Sequence, residues 1–499
     1  MFFRAFLLVC AKVGRWFGVG IVSVMRQLKK KFDKPEYKSM VNRNGSTRRG
    51  FVACAASVLA GATGIRRCEQ ALGFQSPNAR PTIGVIGCGL RWDKRVMVPN
   101  ANYGLGKQFP RFGDVVAVCD VDQTRLARAG EIVKGWSSAE PLQCGDYRKL
   151  IDDKSIDLVH IVTPDHWHAK IAIEAMLSGK HVYCEKPMTL TIREGQLIRN
   201  VQEKTGAVFQ VGTQQRSAKQ FIKAIAMIRN GRLGEVKRAV CGIDQSPESP
   251  RLKSTVPPKH LDWDRWLGPA PETDYRYQAG ANNIMKEWSN GHYEFRWWYD
   301  FSGGKLTDWG AHHVDIATWG LGKTKTGPVT IDPVMVEHPI EFKDGQPLRR
   351  DCYNTATRFL INTTYADGMK LEIRHDTDNG ILFEGTKGRI FVNRGRLTGK
   401  PVEDLRVNPL PDGALEDVYQ GQPLSNHVEN FFSALITRRA PISDVASHHR
   451  ALTTCHLAGI AARLGESIRW DPINERVIGN SVAQGMVDRP KRAGYEIEM

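Results

Sequence analysis

No stretch of this sequence is apolar for long enough to make a settled membrane span, which needs about 20 residues. Residues 51–64 are too few, and Arg4, Lys12 and Arg15 interrupt the run 2–25. Cysteine is present ten times but never as Cys-x-x-Cys, so neither a dithiol redox motif nor a paired zinc-ligand knuckle is spelled out. Several cysteines, Cys88, Cys119 and Cys184 among them, fall in or beside expected strands, so buried free thiols are expected rather than disulfides. There is no internal repeat, no basic stripe interleaved with aromatics and no nucleic-acid motif. The formal charge of +17 does not argue otherwise. Residues 1–50 hold 12 Lys/Arg against 2 Asp/Glu, so most of the excess lies in the first tenth of the chain.

What is present begins with a leader over residues 1–80. Arg48-Arg49 directly precedes the apolar, small-residue run 51–64, a twin-arginine pattern with a cleavage-compatible Ala60-Gly61-Ala62. The signal is expected over about 40–64, with translation starting at Met40 and the product exported to the periplasm or beyond by the twin-arginine machinery; without a functional leader the chain would stay cytoplasmic. With 41% hydrophobic and 25% charged residues, the remainder is globular in composition and long enough for two domains, expected at 81–210 and 211–499.

The first of these opens on an apolar strand, residues 82–86, that runs into Gly87-x-Gly89. Glycines there let backbone amides approach a pyrophosphate, with Leu90 and Arg91 next along the same turn. A third glycine is lacking; Trp92 stands in its place. The second strand, 114–119, ends in Asp120, a carboxylate placed to accept from a ribose diol and to repel a 2′-phosphate, which favours NAD over NADP. Helical patterns over 122–134, 168–178 and 191–204 alternate with strands at 157–162 and 181–184, predicting a doubly wound parallel sheet. The last of these strands stops at Glu185-Lys186-Pro187, and Lys186 therefore stands at a strand carboxyl end, where open α/β sheets bind ligands. The third strand likewise runs into Thr163-Pro164-Asp165-His166-Trp167-His168, read as a loop beside the nicotinamide. Its His-x-His lacks a further ligand at metal spacing, so no metal is expected.

In that order, Gly87-x-Gly89, Thr163-Pro164-Asp165-x-x-His168 and Glu185-Lys186-Pro187 resemble the glucose-fructose oxidoreductase, inositol dehydrogenase and rhizopine-catabolism family of nicotinamide enzymes, Gfo/Idh/MocA. The resemblance implies a Rossmann domain followed by an α/β domain with a large, open, mixed and mostly antiparallel sheet. Strand-like stretches at 360–365, 371–375 and 380–385, with turn residues between them, agree. It also implies that Thr163, Pro164, His168, Glu185 and Lys186 hold the cofactor and that the large sheet packs against a copy of itself in a homo-oligomer.

The second half carries Gly303-Gly304 followed by Asp308-x-x-x-His312, the spacing of the family's second motif. On one helix these two side chains share a face, so the carboxylate is expected to orient the imidazole. Substrate contacts are expected from Arg216, which the resemblance places in the cleft, from Trp298 or Tyr299 by stacking on a sugar face, and from His313, which points about 100° away from His312. The expected chemistry is oxidation of a secondary alcohol of a sugar or polyol, its carbon giving hydride to the nicotinamide while His312 takes the hydroxyl proton and Lys186 bonds the same oxygen. Two alternatives remain open: a redox-neutral glycosidase or epimerase working through a keto-sugar, and a non-catalytic nucleotide sensor.

Overall fold

The computed structural model describes residues 80–93, 104–137, 139–283 and 285–498. The expected leader, with its paired arginines and Met40, lies outside the described residues. Among these residues no helix is long and apolar enough to cross a membrane.

Six strands form the first sheet: β1 (Thr82–Ile86), β2 (Asp114–Cys119), β3 (Leu142–Cys144), β4 (Leu158–Ile161), β5 (His181–Cys184) and β6 (Phe209–Val211), in the order β3-β2-β1-β4-β5-β6. Every pairing is parallel. The sequence dictates this: β4 and β5 are apolar or aromatic nearly throughout and buried at every position, which only a sheet covered on both faces accommodates. The order reverses between β1 and β4, and that is where a crevice opens at the strand carboxyl ends.

Helix starts in this half are set by local chemistry. Asp122 caps α1 (Gln123–Lys134) by accepting from the amides of Thr124 and Arg125, a contact of about 1 kcal/mol. Thr191 and Glu194 form a reciprocal capping box on α3 (Ile192–Thr205), and Gly206, at φ 65°, closes its other end in the left-handed conformation glycine tolerates. The helix between them, α2 (Asp165–Leu177), begins earlier than the periodicity suggests. Pro164 precedes its first turn, so Asp165, His166 and His168 are helical rather than members of a loop. Ahead of β2 a 3-10 helix spans Leu105–Arg111.

The second sheet has nine strands: β7 (Val236–Gly242), β8 (Thr330–Glu337), β9 (Arg358–Thr364), β10 (Lys370–Arg374), β11 (Gly380–Gly385), β12 (Gly388–Val392), β13 (Leu397–Thr398), β14 (Ile468–Asp471) and β15 (Arg476–Ile478). Their order is β13-β12-β11-β7-β10-β9-β8-β14-β15, antiparallel except where β7 runs parallel to β10. Alternating burial along β9 and β10 shows one face turned to a core. Against it pack α5 (Gly310–Gly320), buried at every residue, and α6 (Val445–Leu464), which also contacts α3 of the first half. One continuous apolar cluster, from Val159 and Val182 to Ile361 and Ile373, therefore joins the two sheets. The seven described cysteines are buried free thiols.

Candidate active site

The crevice at the carboxyl ends of β1, β4 and β5 is a cavity of about 370 Å³. Gly87, Gly89, Leu90, Arg91, Asp120, Thr163, Pro164, Glu185 and Lys186 all line it. Gly87 is at φ 91°, and a Cβ there would stand 2.7 Å from the Val162 carbonyl carbon, so only glycine lets β1 pass this close to the end of β4. Trp92, in place of a third glycine, turns into the core beside Phe109 at 2% exposure. Its amide donates to the Gly89 carbonyl at 3.0 Å, so a turn follows the glycines at 90–92 rather than an immediate helix start.

Asp120 sits at the turn of the chain. One carboxylate oxygen accepts from the Cys88 amide at 2.7 Å and the other from the Asp122 amide at 2.9 Å. Burial pushes this carboxyl up, while Arg125 and the two amides pull against it. An ionised carboxylate has about four acceptor positions, so capacity remains for a diol. Glu185 pairs with Arg91 through both oxygens, at 3.0 and 3.3 Å, which raises the guanidinium further and fixes the β5 end against the glycine turn.

Lys186 follows directly. Its Nζ donates to the Asp308 carboxylate and, at 2.8 Å, to the Asp308 carbonyl oxygen. Arg296 adds a second cation 3.6 Å from the same carboxylate and lies 4.4 Å over the Tyr293 ring. Burial pushes the Asp308 carboxyl up, but Lys186 and Arg296 outweigh it and hold the group well below the usual carboxylate range. The expected Asp308–His312 pair is not made. The helix breaks at Trp309 into α4 (Lys305–Asp308) and α5, so the two residues do not share one regular face and the carboxylate turns to Lys186 instead.

His312 is 4% exposed, and its Nδ1 has no hydrogen-bond partner among the described residues. Burial, then the nearby charges of Lys186 and Arg394, hold its pKa well below the ordinary imidazole value, so the ring is neutral at pH 7. Arg394 arrives from the turn after β12 and lies 4.5 Å over Trp309.

Packing places four residues expected at the substrate and one expected at the cofactor away from the crevice lining. Arg216 is 1% exposed and forms a bidentate pair with Asp315, at 2.7 Å through both nitrogens, with His448 on the same carboxylate at 3.1 Å. It ties α5 to the turn that follows β6. Trp298 is core, its indole donating to the Ser289 carbonyl. Tyr299 lies under Arg463 and beside His338, away from this crevice. His313 is fully buried between Asn379 and Gln215, with its pKa lowered to about 4 by burial. His168 does not line the cavity; its ring nitrogens lie 2.7 Å from the Pro187 carbonyl and 2.9 Å from that of Thr163, which braces the two loops that do.

Arg125 and Arg296 line the cavity without having been singled out in the sequence. No spacing rule marks them: Arg296 comes from a 3-10 turn, Glu294–Trp297, that reaches the first domain only through the tertiary fold. The residues fit a dinucleotide. The Thr163 hydroxyl at the cavity wall is buried without a partner among the described residues, and Gly87 and Gly89 contribute backbone without side chains to the lining.

A parallel sheet with its crevice at the switch point, a glycine turn and an acid at the next strand end define a dinucleotide-binding domain. Residues 82–213 match the NAD-binding Rossmann fold of an oxidoreductase family and residues 248–497 its C-terminal alpha/beta domain. The chain belongs to this family, Gfo/Idh/MocA, and its first domain binds NAD. Among curated relatives it is 35% identical over 127 residues to a glycosyl hydrolase family 109 protein of Shewanella putrefaciens, covering 25% of this chain and 28% of that one. It is 31% identical over 202 residues to the alpha-N-acetylgalactosaminidase of Shewanella oneidensis, covering 38% and 44%. It is 30% identical over 123 residues to inositol 2-dehydrogenase of Salmonella typhimurium, covering 24% and 35%. The chain thus spans less than half the length of these relatives. The fold is that of the WlbA dehydrogenase of Bordetella pertussis, solved with NADH and UDP-GlcNAcA, at TM-score 0.52 and 18% identity over 79% of this chain and 99% of that one.

Proposed function

We propose that this protein is an NAD-dependent oxidoreductase that oxidises a secondary hydroxyl of a sugar or polyol. The observation that carries the reading is Lys186, which lines the cavity and is held there by Asp308, with a neutral His312 close enough to feel its charge, although Asp308 and His312 stand behind the lining residues. NAD, when bound, supplies the hydride acceptor. His312 takes the hydroxyl proton on its imidazole, which a neutral ring does and an imidazolium does not. Lys186 donates to the same oxygen as charge builds on it. Asp308 acts by fixing the Lys186 ammonium, and Arg296 stops that carboxylate from swinging away. Asp120 accepts from the adenosine ribose, and its charge disfavours the 2′-phosphate of NADP.

A second reading is redox-neutral glycoside cleavage or epimerisation through a keto-sugar. It is favoured by the names of the glycosyl hydrolase family 109 relatives, whose match is partial. Aldoses, polyols and p-nitrophenyl glycosides, offered with NAD, separate the two. Net oxidation accumulates NADH in proportion to product, whereas the redox-neutral cycle releases p-nitrophenol with no NADH accumulating. Export by the twin-arginine route is part of the proposal, and replacing Arg48-Arg49 by Lys-Lys should retain the protein in the cytoplasm.

A further inference from the structure

A second cavity, also about 370 Å³, opens where the start of α3, the turn at 269–271, residues 299–300 and the tail 485–491 meet. None of the residues assigned above to nucleotide or hydride chemistry lines it. Its walls are apolar at Leu190, Pro271, Pro347 and Met486, yet four cations reach it. Two of them are satisfied: Lys491 pairs with Glu194 at 2.6 Å and Arg350 with Asp300 at 2.5 Å.

The other two are not. Arg463, from α6, gives its Nε to the Gly345 carbonyl at 2.7 Å and lies 4.9 Å over the Tyr299 ring. Arg489 donates to the Tyr299 carbonyl. Among the described residues neither guanidinium has a carboxylate at ion-pair distance, although both bracket Tyr299 and line the one cavity. Burial, and then Arg489, lowers the Arg463 pKa to about 9, and burial lowers that of Arg489 although Asp300 and Glu194, carboxylates of the same cavity that are already paired with Arg350 and Lys491, pull it up from beyond ion-pair distance. A buried cation with no carboxylate in contact is costly, and two facing each other more so. Each guanidinium also keeps N–H donors that no protein acceptor takes, in the planar fork that matches carboxylate and phosphate oxygens.

We propose that this cavity is a binding site for a small organic dianion, a dicarboxylate or a phosphate monoester, held between Arg463 and Arg489. Two charges on the ligand match the two unpaired cations, the apolar walls take its carbon skeleton, and the volume suits a small metabolite. The site is separate from the nicotinamide crevice, and the proposal does not rest on the reaction assigned there.

Calorimetric titration of the full chain with succinate and, separately, phenyl phosphate tests it, at constant ionic strength and with NAD saturating so that the pyrophosphate position is filled. The expected result is one saturable site per chain, with affinity at least about tenfold weaker in Arg463→Gln and in Arg489→Gln and NAD affinity unchanged; a tenfold change is about 1.4 kcal/mol. Succinate alone binding assigns a carboxylate ligand, phenyl phosphate alone a phosphate ester, and both together a general dianion site. No saturable heat from either probe would overturn the proposal, as would wild-type affinity in both variants. Arg463 also stacks on Tyr299, so if its variant does not fold, Arg489→Gln decides the comparison.

Discussion

At the scale of single residues, the account turns on the charge state of His312. An imidazole base with the ordinary pKa of about 6.5 would lose roughly fourfold in kcat/KM between pH 7.5 and 6 as it protonates. Burial and the surrounding cations depress the folded value well below that. The base form therefore persists to lower pH, and kcat/KM is expected to stay flat over this interval. A fourfold fall across it, removed in His312→Ala, would show that the ring titrates normally. Residues were also where the sequence was most and least legible. Lys186 could be read because Glu185-Lys186-Pro187 is local: a buried strand, an abrupt stop and a charged pair lie within seven residues. Arg296 and Arg394 could not, since what makes them site residues is proximity to Asp308 and Trp309 across the fold.

At the scale of elements, helical spacing misled at one point. The pattern Asp308-x-x-x-His312 predicts a shared face only if the helix is continuous, and the break at Trp309 sends the carboxylate to Lys186. Arg216 misled for a related reason: its partner Asp315 lies 99 residues on, so nothing nearby in sequence shows that its charge is already spoken for. The strands themselves were legible, because the fully buried β4 and β5 and the alternating β9 and β10 have distinct apolar patterns. Arg216 joins the turn after β6 to α5 and α6, and Arg216→Ala leaves Asp315 buried with only His448 beside it. The expected loss is roughly 3–5 kcal/mol in urea unfolding, the cost of breaking a buried pair, with KM for any turned-over sugar unchanged in the folded fraction. Arg216→Lys should recover only part of this, because an ammonium cannot make the bidentate contact. A raised KM with unchanged stability would return Arg216 to the substrate.

At the scale of the whole molecule, the two sheets are held together by α6 and by polar ties at its ends. Glu475, in the turn between β14 and β15, accepts from Arg199 of α3 at 2.9 Å and from Arg450 of α6 at 2.7 Å, and contacts His449 at 3.2 Å. Burial raises its carboxyl, but His449 and the two guanidiniums outweigh that and bring it down to about 2 from an ordinary 4.5. A depressed carboxyl stabilises the fold above its unfolded pKa, and the contribution is lost as pH falls through the folded one. Roughly 3 kcal/mol should therefore disappear between about pH 4.5 and 2. In Glu475→Gln the loss is present already at pH 7, and urea midpoints of the two proteins should converge on acidification. Parallel curves over that range would show that the tie contributes nothing.

The central claim is that Lys186 and its neighbours make the nucleotide crevice a hydride-transfer site. It is tested most directly by following absorbance at 340 nm in rapid mixing of the NAD-loaded protein with a panel of aldoses, polyols and glycosides, alongside Lys186→Ala. The account predicts that a member of the panel reduces wild-type-bound NAD, transiently or to completion. It predicts that Lys186→Ala slows this at least about a hundredfold while NAD affinity changes by less than about threefold. Reduction at the wild-type rate in Lys186→Ala would contradict the assignment of the lysine, and tight NAD binding with no reduction by any compound would make the protein a nucleotide sensor instead.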